Sequence, residues 1–446
     1  MRGVTKYLAG SKVPTDVSPR LPFADSSRQS GAIDTIPASE FWLGGEMHKH
    51  DPVRQISFIQ QALSQNRKPI GFFLGAGCPL SIRVNEREED GKTVTDPLIW
   101  DVAGLTKVIA EQLSSKDVAN PSTWDKIVKI VTDDGGDGRN IELLLSRIRV
   151  FASVAGAGDV RGLTAAELIA LDTHVCDVIS KEVRRELPAK DSPYHNLAIW
   201  SRSIRRERPV HLFTTNYDLL MEQALEESSA PYFDGFIGAR KAFFDLGAVE
   251  DEALLPPRWT RLWKIHGSLN WRLEGKTDVV RSDEKTDKQS YLIYPSHLKY
   301  DQSRKMPYLA MLDRLKAFLL APSSLLFICG YSFADEHIND VICRSLEANP
   351  TAHIFACVFG ELEWENYKLA RQCALATPNL SLLGFDKAII GRTPGDWTGD
   401  GADDLVLPPS ILVKDGDKVT LRLGDFAALG MLLRGLSGDG MSNDPA

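Results

Sequence analysis

Residues Gly71 to Gly77 read G-F-F-L-G-A-G, a hydrophobic run that ends in a glycine turn. A second run, His211 to Asp218, reads H-L-F-T-T-N-Y-D and ends in small polar residues. A third, Leu262 to Ile265, is followed by His266 in the tripeptide H-G-S. The strands of an open α/β sheet bind ligands at the edge where they end. The three segments therefore predict a nucleotide site with an acid/base residue inside it.

Strand-like runs alternate with segments of helical periodicity, which predicts an α/β fold with a parallel sheet and crossover helices. Residues 98–205 are predicted to be mostly helical, and we interpret them as an insertion after the first glycine turn. Residues 1–52, rich in Gly, Ser, Pro and charge, predict an irregular N-terminal extension. Residues 53–360 then form the α/β domain, and residues 361–446 complete the sheet or mediate assembly. Two segments are expected to be loops, the charged stretch Glu274 to Ser290 and the Gly- and Asp-rich stretch Gly391 to Asp403.

The composition of the 446 residues, 43% hydrophobic and 25% charged, is that of an ordinary soluble protein. The sequence contains no apolar stretch of about 18 to 20 residues, so no membrane span is expected. The N-terminus lacks the pattern of a signal peptide, so a cytoplasmic location is expected.

The formal net charge of -8 argues against non-specific nucleic-acid binding by the surface as a whole. A cluster formed by Arg202, Arg205, Arg206 and Arg208 is interpreted as a solvated loop before a strand. Direct nucleic-acid binding is therefore not expected from the sequence.

Six cysteines are scattered along the chain, and none forms a C-x-x-C pair. Structural zinc sites usually draw their four ligands from two such pairs. The sequence therefore predicts no metal ligands, no bound zinc and no disulfide framework.

Two further motifs complete a recognisable order. Residues Phe327 to Asn339 read F-I-C-G-Y-S-F-A-D-E-H-I-N, and Leu292 to Pro295 read L-I-Y-P. With the three segments above, they resemble sirtuin-like NAD-binding proteins, in particular the prokaryotic branch, over roughly residues 56–359. The resemblance implies a Rossmann-like sheet, NAD+ as a substrate and a role as an NAD-consuming effector of anti-phage defence.

The resemblance also assigns catalytic roles. Thr214 to Asp218 is similar to the family's Thr-Gln-Asn-Ile-Asp, with Thr215 in place of glutamine. Asn216 is thereby expected at the nicotinamide ribose, and Asp218 deeper, near the nicotinamide. His266 matches the catalytic histidine, a residue type that titrates near neutrality and suits proton removal. The alternatives are that Asn216 caps the following helix and that His266 is structural.

The glycine turn formed by Gly75, Ala76 and Gly77 is expected to approach the pyrophosphate, because glycines allow close backbone contact. The alternative is a turn required only for packing. Sirtuins continue with a serine and an Asp-Phe-Arg element. This sequence has C-P-L-S and no Asp-Phe-Arg, so Ser81 is a candidate contact only.

The segment G-Y-S from Gly330 to Ser332 resembles the family's Gly-Thr-Ser, which approaches the cofactor phosphates. Gly330 and Ser332 are therefore expected to bind NAD+, together with Thr215. The run D-E-H-I-N from Asp335 to Asn339 is interpreted as the structural start of a helix.

The preferred function is an NAD+ glycohydrolase that releases nicotinamide and ADP-ribose. One alternative is an NAD-dependent protein deacylase, a class that usually carries a zinc module. The other is a non-catalytic subunit that binds NAD or ADP-ribose within an assembly. The resemblance implies a homo-oligomer, or a partner such as a hexameric DNA-translocating ATPase. The chain has no G-x-x-x-x-G-K motif of its own followed by Ser or Thr.

Overall fold

The structure is a computed structural model that describes residues 48–437, apart from 90, 190, 204, 275–277, 283–288, 294–306, 400–407 and 417. Side chains are not described for residues 289–293. The predicted N-terminal extension, residues 1–52, therefore lies outside the described residues except for its last five positions.

The helices in the described part of the chain are numbered in chain order. They are α1 Pro52–Leu63, α2 Val102–Leu113, α3 Thr123–Asp133, α4 Ile141–Ala155, α5 Ala165–Val183, α6 Pro193–Ser203, α7 Leu220–Glu227, α8 Leu246–Glu250, α9 Tyr308–Leu320, α10 Glu336–Ala348, α11 Lys368–Ala376 and α12 Phe426–Leu436. None of these helices of the described residues is long and apolar enough to cross a membrane.

The strands are numbered in the same way. They are β1 His48–His50, β2 Ile70–Leu74, β3 Arg83–Glu89, β4 Lys92–Pro97, β5 Asp159–Val160, β6 Leu163–Thr164, β7 Val210–Thr214, β8 Tyr232–Phe233, β9 Phe236–Ile237, β10 Ala242–Phe244, β11 Thr260–Lys264, β12 Gly267–Glu274, β13 Asp278–Arg281, β14 Gln289–Ile293, β15 Leu325–Cys329, β16 His353–Cys357, β17 Leu380–Leu383, β18 Lys387–Ile390, β19 Thr393–Trp397, β20 Leu412–Asp415 and β21 Lys418–Leu421.

The central sheet has ten strands in the order β1-β19-β18-β17-β16-β15-β2-β7-β11-β8. From β17 to β8 the neighbours run parallel. The six strands β11-β7-β2-β15-β16-β17, taken by their order in the chain, give the doubly wound order 3-2-1-4-5-6. The predicted Rossmann-like α/β fold is confirmed, and its topological switch point lies between β2 and β15. Every residue of β2, β7 and β15 is buried, as expected for parallel strands with both faces covered.

The helical insertion is also confirmed, because α2 to α6 lie between β2 and β7 in the chain. Their buried faces carry large apolar residues such as Trp124 and Trp200, both at most 2% exposed. Sequence interpretation missed the hairpin of β3 and β4, which precedes this helical block. Charged residues dominate β3, R-V-N-E-R-E-E, so the strand has no apolar alternation to indicate it.

The outer edge of the sheet corrects two expectations. The sheet is not wholly parallel, because β18 pairs antiparallel with both β17 and β19. The stretch predicted to be a loop, Gly391 to Asp403, contains the strand β19. Gly391 and Arg392 have positive φ angles of 58° and 69°, as a two-residue hairpin requires. Proline and glycine inside the strand hid it from sequence interpretation.

A second sheet of five strands has the order β14-β12-β13-β10-β9. It shows that the expected exposed loop, Glu274 to Ser290, is wrong for Asp278–Arg281, which form β13. That strand pairs antiparallel with β12 and β10. Val279 and Val280 are buried, and the charges on both sides of them concealed this short apolar pair.

Strands β17 to β19, which belong to the C-terminal segment, extend the central sheet. The last helix, α12, packs against α6, with the rings of Phe426 and Tyr194 4.9 Å apart and nearly perpendicular. Gly430 permits this approach, because a Cβ there would lie 2.8 Å from the backbone of Pro193. The chain downstream of β16 therefore contacts both the sheet and the helical insertion.

Candidate active site

The glycine turn after β2 packs backbone to backbone against the loop after β15. The amide of Gly75 donates to the carbonyl of Cys329 at 2.9 Å, and the amide of Gly77 donates to that of Gly330 at 2.8 Å. A Cβ on Gly75 would lie 2.2 Å from the Gly330 oxygen, and Gly330 itself has a φ of +69°. The glycines are thus required for packing at the switch point. Two of the turn's amides thus already have acceptors in the protein, and Ala76 and Gly77 are half-buried.

Ser81 and Ser332 lie on the same two loops. The Ser81 hydroxyl donates to the carbonyl of Cys78 at 2.8 Å and so closes a short 3-10 turn. Ser332 is half-buried, two residues beyond Gly330. Their contacts with NAD+ stay predictions.

Asn216 is buried and held over the glycine turn. Its Nδ2 donates to the carbonyl of Gly75 at 3.1 Å, and its amide donates to Oγ1 of Thr214 at 3.0 Å. The same Thr214 hydroxyl donates to the carbonyl of Leu74, the last residue of β2. The alternative cap role for Asn216 is wrong, because the carboxylate of Asp218 accepts from the amide of Leu220 at the start of α7.

Asp218 lies deep in the protein. Burial raises the pKa of its carboxyl group to about 6, and the nearby charge of Lys264 opposes that rise. Nζ of Lys264 donates to the backbone carbonyl of Asp218 and pairs with Glu222 at 2.8 Å. Sequence interpretation missed Lys264 and Glu222. The available signal was a lysine at the end of an otherwise apolar strand.

His266 lies in the two-residue turn that joins β11 to β12, and β11 is the neighbour of β7 in the central sheet. Its Nε2 lies 3.2 Å from Oδ2 of Asp335, and both side chains are largely buried. The other carboxylate oxygen of Asp335 accepts from the amides of His337 and Ile338 and so caps α10. The predicted helix start is confirmed, but Asp335 also contacts the candidate catalytic histidine, which sequence interpretation did not foresee.

A pocket lies between the carboxyl edge of the sheet and the helical insertion. On the sheet side it is lined by Ala76, Thr215, Asn216 and Asp218. On the helical side it is lined by Ile99, Trp100, Asp101, Val102, Leu105, Ile141, Glu142, Leu145, Ile179 and Val183. Sequence interpretation named none of this second set, since it had no means of placing the insertion over the strand ends. Trp100 is 40% exposed.

The structure thus brings together four of the predicted site residues in one pocket. Gly75, Gly77 and Gly330 lie behind it, in the packed loops, and His266 lies at the next strand end. Within the described residues, no group of three or more His, Cys, Asp or Glu side chains could hold a metal ion. Of the L-I-Y-P run, Leu292 and Ile293 belong to β14, and its last two positions lie outside the described residues.

Comparison with known proteins gives a partial match. Residues 210–380 match the family model described as SIR2-like domain. This segment begins with β7 and contains Asn216, Asp218, His266 and Asp335, but not the glycine turn after β2. A search of curated proteins finds no match.

Solved structures show low similarity. One described as the structural basis for the mechanism and regulation of Sir2 enzymes is 11% identical, with a TM-score of 0.33, and covers 76% of this chain and 92% of its own. A serine-to-alanine variant of a Sir2 homologue with ADP-ribose is 12% identical, with a TM-score of 0.29 and coverages of 67% and 83%. A histidine-to-asparagine variant with ADP-ribose is also 12% identical, with a TM-score of 0.30 and coverages of 71% and 95%. TM-scores this low add nothing to the fold described above.

Proposed function

We propose that this protein is an NAD+ glycohydrolase that cleaves NAD+ to nicotinamide and ADP-ribose. One observation carries the proposal: Asn216 and Asp218 lie buried in a pocket at the carboxyl edge of a doubly wound sheet, and the neighbouring strand β11 leads into the turn that holds His266, which contacts Asp335. Dinucleotides bind at this edge in such sheets. A buried carboxylate whose pKa is raised by burial and which lines a cleft is a candidate for a functional group.

In the proposed reaction the bond between ribose C1′ and the nicotinamide nitrogen breaks, and its electron pair leaves with nicotinamide. The ribose gains oxocarbenium character, as in glycoside cleavage. Water then bonds to C1′ and loses a proton, which gives ADP-ribose. Asn216 would hold the ribose hydroxyls through its amide, since its side chain is already fixed by the carbonyl of Gly75.

Asp218 would stabilise the positive charge that develops on the ribose. Its pKa of about 6 leaves the carboxylate mostly ionised at pH 7. The low-polarity surroundings that raise this pKa also strengthen its interaction with a nearby cation. Lys264 and Glu222 position the backbone of Asp218, because Lys264 binds its carbonyl and pairs with Glu222.

His266 would accept the proton of the attacking water or of a ribose hydroxyl. A carboxylate accepts hydrogen bonds, so Asp335 favours the tautomer with its proton on Nε2 of His266. Nδ1 is then the basic nitrogen. Asp335 is a positioning residue in this scheme, and it is itself fixed by capping α10.

In the cell, this reaction would drain the cytoplasmic NAD+ pool, as in the prokaryotic effectors of anti-phage defence that the motifs resemble. Such an activity requires restraint, which we propose comes from a homo-oligomer or from a partner such as a DNA-translocating ATPase. Expression of the chain with and without its genomic neighbour, followed by measurement of cellular NAD+, tests this part. Equal NAD+ levels in the two cultures and in an empty control would contradict it.

The chemistry is tested by incubation of the purified protein with NAD+ and separation of the products by chromatography. We expect His266→Ala and Asn216→Ala to lower nicotinamide release about 100- to 10,000-fold. His353→Ala is the matched control, because this histidine starts β16 and contacts Ser381 at 3.2 Å, far from the pocket along the strand. Full activity of both site variants would refute the assignment. Nicotinamide release that occurs only with an acylated peptide would favour the deacylase alternative.

A further inference from the structure

We propose that this protein binds single-stranded nucleic acid in a groove at the amino-terminal edge of the central sheet. The groove is lined by Arg202, Arg206, Arg208, Arg258 and Trp259, and we call it the arginine groove. No acidic side chain is found among the described residues that line it. Four arginines thus line one groove in a chain whose net charge is -8. Neither the site described above nor the proposed reaction uses this cluster.

Two of the arginines form the walls of the groove. Arg202 donates to the carbonyls of Ser228 and Ser229, at the end of α7. Arg206 donates to the carbonyls of Leu63 and Gln65 and stacks 4.2 Å above the ring of Trp200. The carbonyl partners carry no formal charge, so these contacts pair neither arginine with an acidic group.

The other two arginines, Arg208 and Arg258, are exposed to solvent. In the part of the chain that the structure describes, Arg208 and Arg258 make neither a hydrogen bond nor an ion pair, while Glu207 beside them pairs with Arg67 at 3.0 Å. Guanidinium groups of this kind match the planar geometry of phosphate oxygens. The groove therefore offers phosphate contacts that require no internal bond to be broken.

An aromatic platform adjoins these charges. Trp259 is 39% exposed although it is a large apolar side chain. Its loop is held from below by the buried Arg261, which donates to the carbonyl of Trp259 at 2.7 Å and to that of Pro256 at 3.1 Å. Two consecutive prolines, Pro256 and Pro257, further restrict the loop. The backbone that carries the indole is thus held in place before any ligand binds.

An exposed aromatic face beside the guanidiniums of Arg208 and Arg258 favours a single strand over other anions. Single strands combine phosphate neutralisation with stacking of bases on aromatic rings. Duplex bases are already stacked on one another, and an acidic peptide would use the charges alone. The composition argues only against binding by the surface as a whole, so we propose a ligand for a cluster that the sequence alone presents as a solvated loop.

The groove lies apart from the candidate active site. Val210 lines it at the start of β7, whereas Asn216 follows the end of the same strand. A five-residue strand spans about 15 Å. Nucleic-acid binding at the groove therefore does not compete with NAD+ and does not depend on the proposed reaction.

The test is fluorescence anisotropy of the full-length protein with a labelled oligothymidylate of about 12 nucleotides, at low and moderate salt. We expect the double variant Arg208→Glu/Arg258→Glu to weaken binding at least about 10-fold and to flatten its salt dependence. Trp259→Ala should weaken it about 5- to 100-fold. Arg205→Glu is the matched control, because Arg205 is exposed and belongs to the same sequence cluster but does not line the groove.

Three outcomes would overturn the proposal. The first is that the wild-type protein fails to bind the oligonucleotide at low salt. The second is that Arg205→Glu weakens binding as much as the groove variants do. The third is that polyglutamate displaces the oligonucleotide at equal charge concentration while Trp259→Ala changes nothing, which would indicate an acidic protein partner. Circular dichroism of each variant ensures that a loss of binding reflects the groove rather than the fold.

Discussion

Asp335 offers the sharpest test of the candidate active site, because its two carboxylate oxygens have separate contacts. Oδ2 lies 3.2 Å from Nε2 of His266, and Oδ1 accepts from two amides at the start of α10. Asparagine is as good a helix cap as aspartate. The substitution Asp335→Asn therefore keeps the cap and removes the negative charge beside the histidine.

The expected loss follows from that one contact. A hydrogen bond to a charged group contributes about 1.5–3 kcal/mol. If the whole of this is lost in the transition state, the rate falls about 10- to 150-fold, since about 1.4 kcal/mol corresponds to a factor of ten. The fall should appear in kcat rather than in KM, because Asp335 positions the base and does not line the pocket. Asp335→Ala should lose a similar amount of activity and, in addition, about 1 kcal/mol of stability through the lost cap.

The assay is the initial rate of nicotinamide release over a range of NAD+ concentrations, with melting temperatures measured in parallel. Asp51→Asn is the matched control, since Asp51 caps α1 through the same pair of backbone contacts, to Val53 and Arg54. It should leave kcat unchanged. A kcat for Asp335→Asn within twofold of that of the control would refute the idea that Asp335 positions His266.

Three more expectations concern stability and metal content. Burial raises the pKa of Asp218 to about 6, above its value in the unfolded chain. Folding therefore favours the protonated carboxyl group. The stability that this group contributes is lost as the pH rises from about 4 through 6. Urea denaturation should therefore show that the free energy of unfolding of Asp218→Asn, relative to that of wild type, rises by about 2–3 kcal/mol from pH 4 to pH 7.5. If the difference between the two proteins does not depend on pH, the carboxyl group is not buried. Gly75→Ala should lower the free energy of unfolding by at least about 2 kcal/mol, because its Cβ would meet the backbone of Gly330, whereas Gly435→Ala, with open space around its Cβ in α12, should be neutral or stabilising. The purified protein should contain no stoichiometric zinc, and a chelator should leave its melting temperature unchanged, whereas one tightly bound zinc per chain would favour the deacylase alternative.

The sequence indicates the central strands well, because their signal is local. The runs I-G-F-F-L and L-L-F-I-C are short, wholly apolar and bounded by glycine, which is typical of buried parallel strands. Periodicity likewise indicates the helical block that contains α4 and α5. The strands that were missed depend on pairing instead. β19 contains proline and glycine, and β13 is flanked by charge, so only their neighbours in the sheets stabilise them as strands.

The candidate site divides in the same way. Asn216, Asp218 and His266 stand at strand ends that the sequence reveals, and their proximity follows from the parallel order. Asp335 and Trp100 reach the site from parts of the chain whose position is set by tertiary packing, whereas Lys264 ends the same strand that leads to His266. A lysine in a strand or an aspartate before a helix has an ordinary structural explanation. Sequence alone therefore gives no reason to prefer a second role for either residue.

The charges beneath Asp218 bear on whether the site serves chemistry or stability. Lys264 is only 1% exposed, and its ion pair with Glu222 lies in the interior, where the carboxylate of Asp218 is also buried. Removing two charges from water costs several kcal/mol per ion, and well-packed apolar residues of similar volume are often as stable or more so. The arrangement is thus a poor way to stabilise a strand end. It is an effective way to hold the backbone of Asp218 while its carboxylate stays in a low-polarity pocket, where it interacts strongly with a developing positive charge. For this reason the cluster supports a catalytic rather than a purely structural origin of the buried charges.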